Sequence, residues 1–355
     1  MKNITKAILG LILGASCSLL PEGMQAAGRL DTIDYRVFIA VDRPAIEHWG
    51  GEAAYREKLD EFFGKVNKFW NEAGQGRFKY YFRYLPDLQM IYNGSSDVVE
   101  KAFRSSTCYP EHDVLMIIDS KADHDDEHPG WYCGGASDGL SLVVCRGRSK
   151  TEPEDLFGKD YFYRGVAHEL GHYRGVTDLY ADRIRAKNNP VNGLEYEPEA
   201  CVMNSHYTAT RWSDYAADII NYTALYKRPG KECPGFFHNM FPQNFDIKVT
   251  AKGKPKKGVK INLYGSRAKF NDLISVPYRS YVTGKDGRVF VTGVPDLYDR
   301  PERPVNTDEL PYNRWFTFLL ETEYNGEKKY VWLPEYEVQR AFFKGEKTYS
   351  VDVKF

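Results

Sequence analysis

Residues 35–42 read Y-R-V-F-I-A-V-D, a short and largely apolar run that predicts a strand. Leu59, Phe62, Phe63, Val66, Phe69 and Trp70 then recur at helical spacing, which predicts an amphipathic helix with a strongly apolar face. Residues 78–85, rich in tyrosine and phenylalanine, read as a second strand. Residues 98–103 read as a short helix and residues 114–118 as a third, buried strand. This alternation predicts an α/β sheet with helices packed against it. A further apolar run, residues 140–144, follows Gly134-Gly135-Ala136-Ser137, and residues 212–222 predict another helix. Pro229, Gly230, Pro234 and Gly235 punctuate what comes next. From about Phe245 the period drops to two: Ile247 and Val249, then Val259, Ile261 and Leu263, alternate with polar residues. Lys285-Asp286-Gly287 predicts a hairpin turn between residues 281–283 and 289–292, and residues 315–320, 330–333 and 349–353 supply more strands. The expected architecture is an α/β (α+β) domain over residues 28–240 followed by an all-β sandwich over residues 241–355.

The chain has 355 residues, 42% of them hydrophobic and 15% aromatic, enough for two domains with cores of their own. A formal net charge of −1 gives no basic field to attract nucleic acid or an anionic membrane surface, so neither is an expected partner. Residues 1–27 have a different character. Lys2 and Lys6 precede an apolar run over residues 7–13, too short to span a bilayer, in the manner of an export signal peptide. Gly14-Ala15-Ser16-Cys17 resembles a bacterial lipoprotein box that would leave an acylated Cys17, and cleavage near Ala26 or Ala27 is the alternative. The protein is therefore expected outside the cytoplasm as a monomer. It would be an outer-membrane or cell-surface lipoprotein, touching membrane only through its lipid anchor, or a secreted or periplasmic protein. Too few residues separate those cleavage points from residue 35 for a folded inhibitory pro-segment, so none is expected. Cys108, Cys133, Cys145, Cys201 and Cys233 remain, an odd number that allows at most two disulfides. Cys201 with Cys233 and Cys133 with Cys145 are the expected pairs.

The densest chemistry lies in His168-Glu169-Leu170-Gly171-His172. Residues four apart share a helix face, so His168 and His172 present two imidazoles to one point, half of a tetrahedral zinc shell. Glu169 stands one residue on, turned partly away, where it can hold a water without being a ligand. Gly175 ends a helix easily because glycine takes a left-handed conformation without steric cost. A turn there would bring Asp178 back to a third coordination position.

The pattern H-E-x-x-H-x-x-G-x-x-D resembles the metzincin clan of zinc endopeptidases, in the variant shared with snapalysin-like secreted bacterial peptidases, where aspartate replaces the commoner third histidine. Cys201-Val202-Met203-Asn204-Ser205 is similar to the methionine turn of that clan, and the organisation of residues 34–226 is similar to its catalytic domain. The resemblance implies one zinc ion held by His168, His172 and Asp178, with Glu169 as general base and Met203 as a hydrophobic floor. It implies a protein or peptide substrate, laid along an edge strand where Gly135 and Ala136 let another backbone approach closely. His206 and Tyr207 are candidate contacts to the oxyanion or substrate, although Tyr207 stands further past the methionine than in astacin-like members. The second half, with G-K-P-K-K-G-V-K-I-N-L-Y and T-G-K-D-G-R-V-F-V, is similar to transthyretin-like, carboxypeptidase-regulatory-type domains.

Other readings stay open. Asp123-His124-Asp125-Asp126-Glu127-His128 is either a solvated loop or a second metal site, for zinc or calcium. A gluzincin-like peptidase would take its third ligand from Glu195, Glu197 or Glu199, but Pro198 among them argues against a ligand helix. A third reading is an inactive surface binding protein that acts through the sandwich. No candidate ligand lies beyond residue 237, so a chain ending near Phe237 is expected to keep its zinc.

Overall fold

The computed structural model describes residues 30–105, 113–120, 132–135, 142–147, 156–157, 162–205, 208–233, 236, 240–267, 271–299 and 314–355. Cys17 and the rest of the signal segment, Cys108, the run from His124 to His128, Ala136, His206 and Tyr207 lie outside the described residues. In chain order the first part comprises β1 (Thr32–Asp42), α1 (Arg43–His48), α2 (Glu52–Ala73), β2 (Tyr81–Tyr92), α3 (Ser96–Ser105), β3 (Val114–Asp119), β4 (Tyr132–Gly135) and β5 (Leu142–Arg146). It continues with α4 (Phe162–Tyr173), two 3-10 turns (Leu179–Asp182 and Ala186–Asn188), α5 (Asp214–Thr223) and α6 (Pro229–Glu232).

Its sheet has the order β2-β1-β3-β5-β4. β1, β2, β3 and β5 run parallel and β4 is antiparallel to β5, at the edge. Every residue of β3 is buried, as expected of a central parallel strand covered on both faces. β2 runs on through Pro86, past the end that the sequence predicts. Proline cannot donate to a ladder, but among the described residues β2 is an edge strand with a partner only on the β1 side. The apolar stripe of α2 covers this sheet, and Trp70 at its end packs on Trp212 with ring centroids 4.6 Å apart. Arg174, fully buried just past α4, ties that helix to the sheet. Its guanidinium lies 4.4 Å and 4.1 Å from the ring centroids of Tyr35 and Tyr173 and donates to the Tyr35 hydroxyl and the Thr223 and Tyr226 carbonyls.

The second part comprises β6 (Asn244–Ala251), β7 (Lys254–Pro255), β8 (Lys260–Arg267), β9 (Asp272–Leu273), β10 (Arg279–Val282), β11 (Arg288–Thr292), α7 (Val294–Asp299), β12 (Thr317–Tyr324), β13 (Glu327–Pro334), α8 (Glu335–Phe343) and β14 (Thr348–Lys354). One sheet has the order β10-β8-β12-β13, with β9 on β8; the other has the order β11-β6-β14, with β7 on β6. Phe245, Ile247, Val249 and Ala251 turn inward along β6, the period of two that the sequence displays. This part is not all-β: α7 and α8 interrupt the strands. The whole chain is thus mixed helix and sheet.

Residues 31–355 form one compact unit, and α8 is one of the elements that join its two halves. Tyr336 belongs to the core of the first part, Tyr215 of α5 packs on Tyr336 and Phe343, and Tyr222 packs on Phe342 and Phe343. Arg340 pairs with Asp214 and Asp218. A second apolar seam gathers Ile184 with Tyr264, Leu273 and Leu319 of the sandwich, flanked by Tyr196 and Trp332.

The expected Cys201–Cys233 disulfide is absent: both are buried free thiols. The Cys201 sulfur instead accepts hydrogen bonds from the backbone N–H groups of Met203 and Ser213, and Cys233 lies beside Tyr222 and Tyr226. Cys145 is disulfide-bonded and stands opposite Cys133 in the β4–β5 register. Among the described residues no helix is long and apolar enough to cross a membrane.

Candidate metal centre

Helix α4 is buried along nearly its whole length, which fixes the rotation of its two histidines. It ends in a Schellman motif: the Val176 N–H donates to the Gly171 carbonyl at 3.0 Å and the Gly175 N–H to the His172 carbonyl at 2.9 Å. Gly175 takes φ +90°, and a Cβ there would come within 2.6 Å of the Phe236 ring. Gly175→Ala should therefore cost about 2–4 kcal/mol, from left-handed strain plus overpacking. Chemical denaturation would measure it, and an unchanged midpoint would contradict the account.

The turn sends the chain back beneath the helix. Asp178 Oδ1 comes to 3.0 Å from His168 Nε2 and 3.3 Å from His172 Nε2. The other ring nitrogens face backbone carbonyls: His168 Nδ1 stands 3.0 Å from the Val202 oxygen, and His172 Nδ1 stands 2.8 Å from the Val176 oxygen. A carbonyl can only accept, so each Nδ1 carries a proton and donates it, which fixes the ring orientation and leaves each Nε2 facing Asp178. Asp178 Oδ1 is thus buried between the two Nε2 atoms, with no partner besides them among the described residues. These separations suit a cation held between the three atoms. Two ligands on a tetrahedral zinc, each about 2.0–2.1 Å from it, stand about 3.3 Å apart, close to the observed separations.

Glu169 is buried beside the pair, and its carboxylate oxygen lies within 4.8 Å of one nitrogen of each histidine. The buried group of His168, Glu169 and His172 could hold one metal ion. Asp178, whose Oδ1 lies 3.0 Å and 3.3 Å from the two Nε2 atoms, stands beside the same two histidines. Electrostatics agree with a site built for positive charge. Burial disfavours a charged His172, but the Asp178 carboxylate, then Glu169 and the Val176 carbonyl outweigh it and raise its pKa to about 9. Burial likewise acts to raise Asp178, yet the neighbouring imidazoles hold it far below the ordinary carboxylate range.

Met203 is fully buried under α4: a Cβ on Gly171 would meet its sulfur at 2.7 Å. Its carbonyl accepts from the Leu179 N–H at 3.0 Å, which ties the turn around Met203 to the segment carrying Asp178. Gly135 closes the edge strand β4, and α4 packs near that strand. The glutamates weighed as alternative ligands are engaged elsewhere. Glu197 forms a bidentate pair with Arg183, Glu195 accepts from the Ala186 N–H, and Glu199 is held near Arg340 and Asp214.

Tyr180 is a residue that reading the sequence missed. Its hydroxyl donates to Asp178 Oδ2 at 2.7 Å, leaving Oδ1 to face the histidines. Its position two residues past the aspartate was the available signal. The carbonyls of Val176 and Val202 left none, since any residue supplies a carbonyl. No family model matches this chain, and no curated protein matches it.

Proposed function

We propose that the chain is a zinc-dependent endopeptidase, with zinc held by His168, His172 and Asp178 and with Glu169 as general base. The observation that carries this reading is the approach of one buried carboxylate oxygen to 3.0 Å and 3.3 Å from two Nε2 atoms, both Nδ1 atoms being committed to carbonyls. Two imidazoles and a carboxylate suit zinc. Bound zinc would supply a Lewis acid that polarises the scissile carbonyl and lowers the pKa of a water to about 7. The chain's own groups do the rest. The Val202 and Val176 carbonyls fix the tautomer and aim of the imidazoles, and Tyr180 orients the aspartate. Glu169 accepts the proton of the attacking water and returns it to the leaving amine.

A polypeptide substrate is supported by β4, an edge strand ending in Gly134-Gly135 near α4, which offers backbone groups to an extended peptide. The apolar run at residues 7–13 supports an exported protein. Elemental analysis of the purified protein should find about one zinc per chain, and digestion of a peptide library should yield internal cleavages that a chelator abolishes. Full zinc without cleavage would remove the peptidase reading, and a protein that binds no metal would remove the centre as well.

A further inference from the structure

Asp178 sits at the head of a 3-10 turn, Leu179–Asp182, and the partners of that turn come from far along the chain. Asn271 lies between β8 and β9 in the sandwich, at φ +47°. Its side-chain amide donates to the Tyr180 carbonyl at 3.1 Å and to the Arg183 carbonyl at 2.9 Å, closing the C-terminal end of the turn. Its own carbonyl accepts from the Asn188 side chain at 3.3 Å. Within the same turn Asp182 is fully buried, and the Thr317 hydroxyl at the start of β12 donates to its Oδ1 at 2.6 Å. Burial and the nearby Glu335 carboxylate push Asp182 well above the ordinary carboxylate range, against the Thr317 bond and Arg314. A buried acid of this kind is costly to leave unpartnered, so the hydroxyl holds the turn in place.

We infer that Asn271 and Thr317, both in the C-terminal sandwich, are positioning residues of the metal centre, which hold the turn after Asp178 and so set how tightly the metal is bound. The inference rests on the reading above in taking Asp178 as a ligand. A carboxylate that must meet two fixed imidazoles loses affinity when the backbone behind it is free to drift. The sequence places them 93 and 139 positions beyond Asp178 (271 − 178 and 317 − 178).

The test uses the full-length protein, stripped of metal and titrated with zinc against a chromophoric chelator. Asn271→Gly removes the amide yet tolerates the left-handed backbone. Thr317→Val removes only the hydroxyl, and Thr317→Ser restores it. Zinc affinity should fall about 10–100-fold in Asn271→Gly and Thr317→Val, the usual effect of losing an outer partner, and stay near wild type in Thr317→Ser. At saturating zinc the kcat of Asn271→Gly should return to the wild-type value, which general damage to the fold would not allow. Wild-type affinity in both Asn271→Gly and Thr317→Val, with the natural protein binding zinc normally, overturns the inference and leaves the proposed function standing. A natural protein that binds no zinc overturns both.

Discussion

Glu169→Gln should keep its metal at the wild-type level while turnover falls by at least about 10²–10⁴-fold, the typical contribution of a general base. The substitution preserves shape and removes the ability to take a proton. Glu169 lies beside the imidazoles, its carboxylate within 4.8 Å of one nitrogen of each. Asp178→Ala should behave in the opposite way. It removes the buried oxygen at 3.0 Å and 3.3 Å from the two imidazoles, leaving a two-histidine site short of the usual three protein ligands. Zinc content should fall, and excess zinc should restore part of the activity of Asp178→Ala but none of that of Glu169→Gln. Elemental analysis and turnover on one peptide, measured for both variants, separate the roles. Full zinc and wild-type turnover in Asp178→Ala would place the third ligand elsewhere.

A chain ending near Phe237 should fail to fold as a metal-binding unit, which reverses the expectation drawn from the sequence that the sandwich can be removed. The cut strips Tyr336 and Phe343 from Tyr215, takes Tyr264, Leu273 and Leu319 from Ile184, and leaves Asp182 buried without Thr317 or exposed. Each fully buried side chain of this size contributes about 1.5–3 kcal/mol. Uncovering several at once takes away a large share of the roughly 5–15 kcal/mol that keeps a domain folded. A soluble truncated chain with cooperative unfolding and wild-type zinc affinity would falsify this prediction.

The parts of the fold that could be read in advance are those whose side-chain pattern is local. The stripe of α2 and the apolar runs of β1 and β3 each announce themselves within a dozen residues. Helix α8 stayed hidden because its buried face carries Glu335 and Gln339, so polarity along it does not report which side meets the core. Pro86 shortened the reading of β2, since nothing in the sequence says that this strand lies at an edge. The candidate site divides in the same way. His168, Glu169, His172, Gly175 and Asp178 stand at fixed spacing within eleven residues, and one helix and one turn suffice to bring them together (168 through 178). The groups that aim them are backbone carbonyls or come from distant strands, and neither leaves a mark near the motif.

The bond from Thr317 to Asp182 also has a consequence in time. It spans 135 residues of sequence. At about 5–20 residues per second of synthesis, on the order of ten seconds pass between the emergence of the acid and that of its partner. Throughout that interval the histidine helix can form while the segment meant to complete it has nothing to lean on. Metal loading should therefore be a late event, following arrival of the second half of the chain. A nascent chain stalled before residue 317 should take up zinc weakly, however complete its motif.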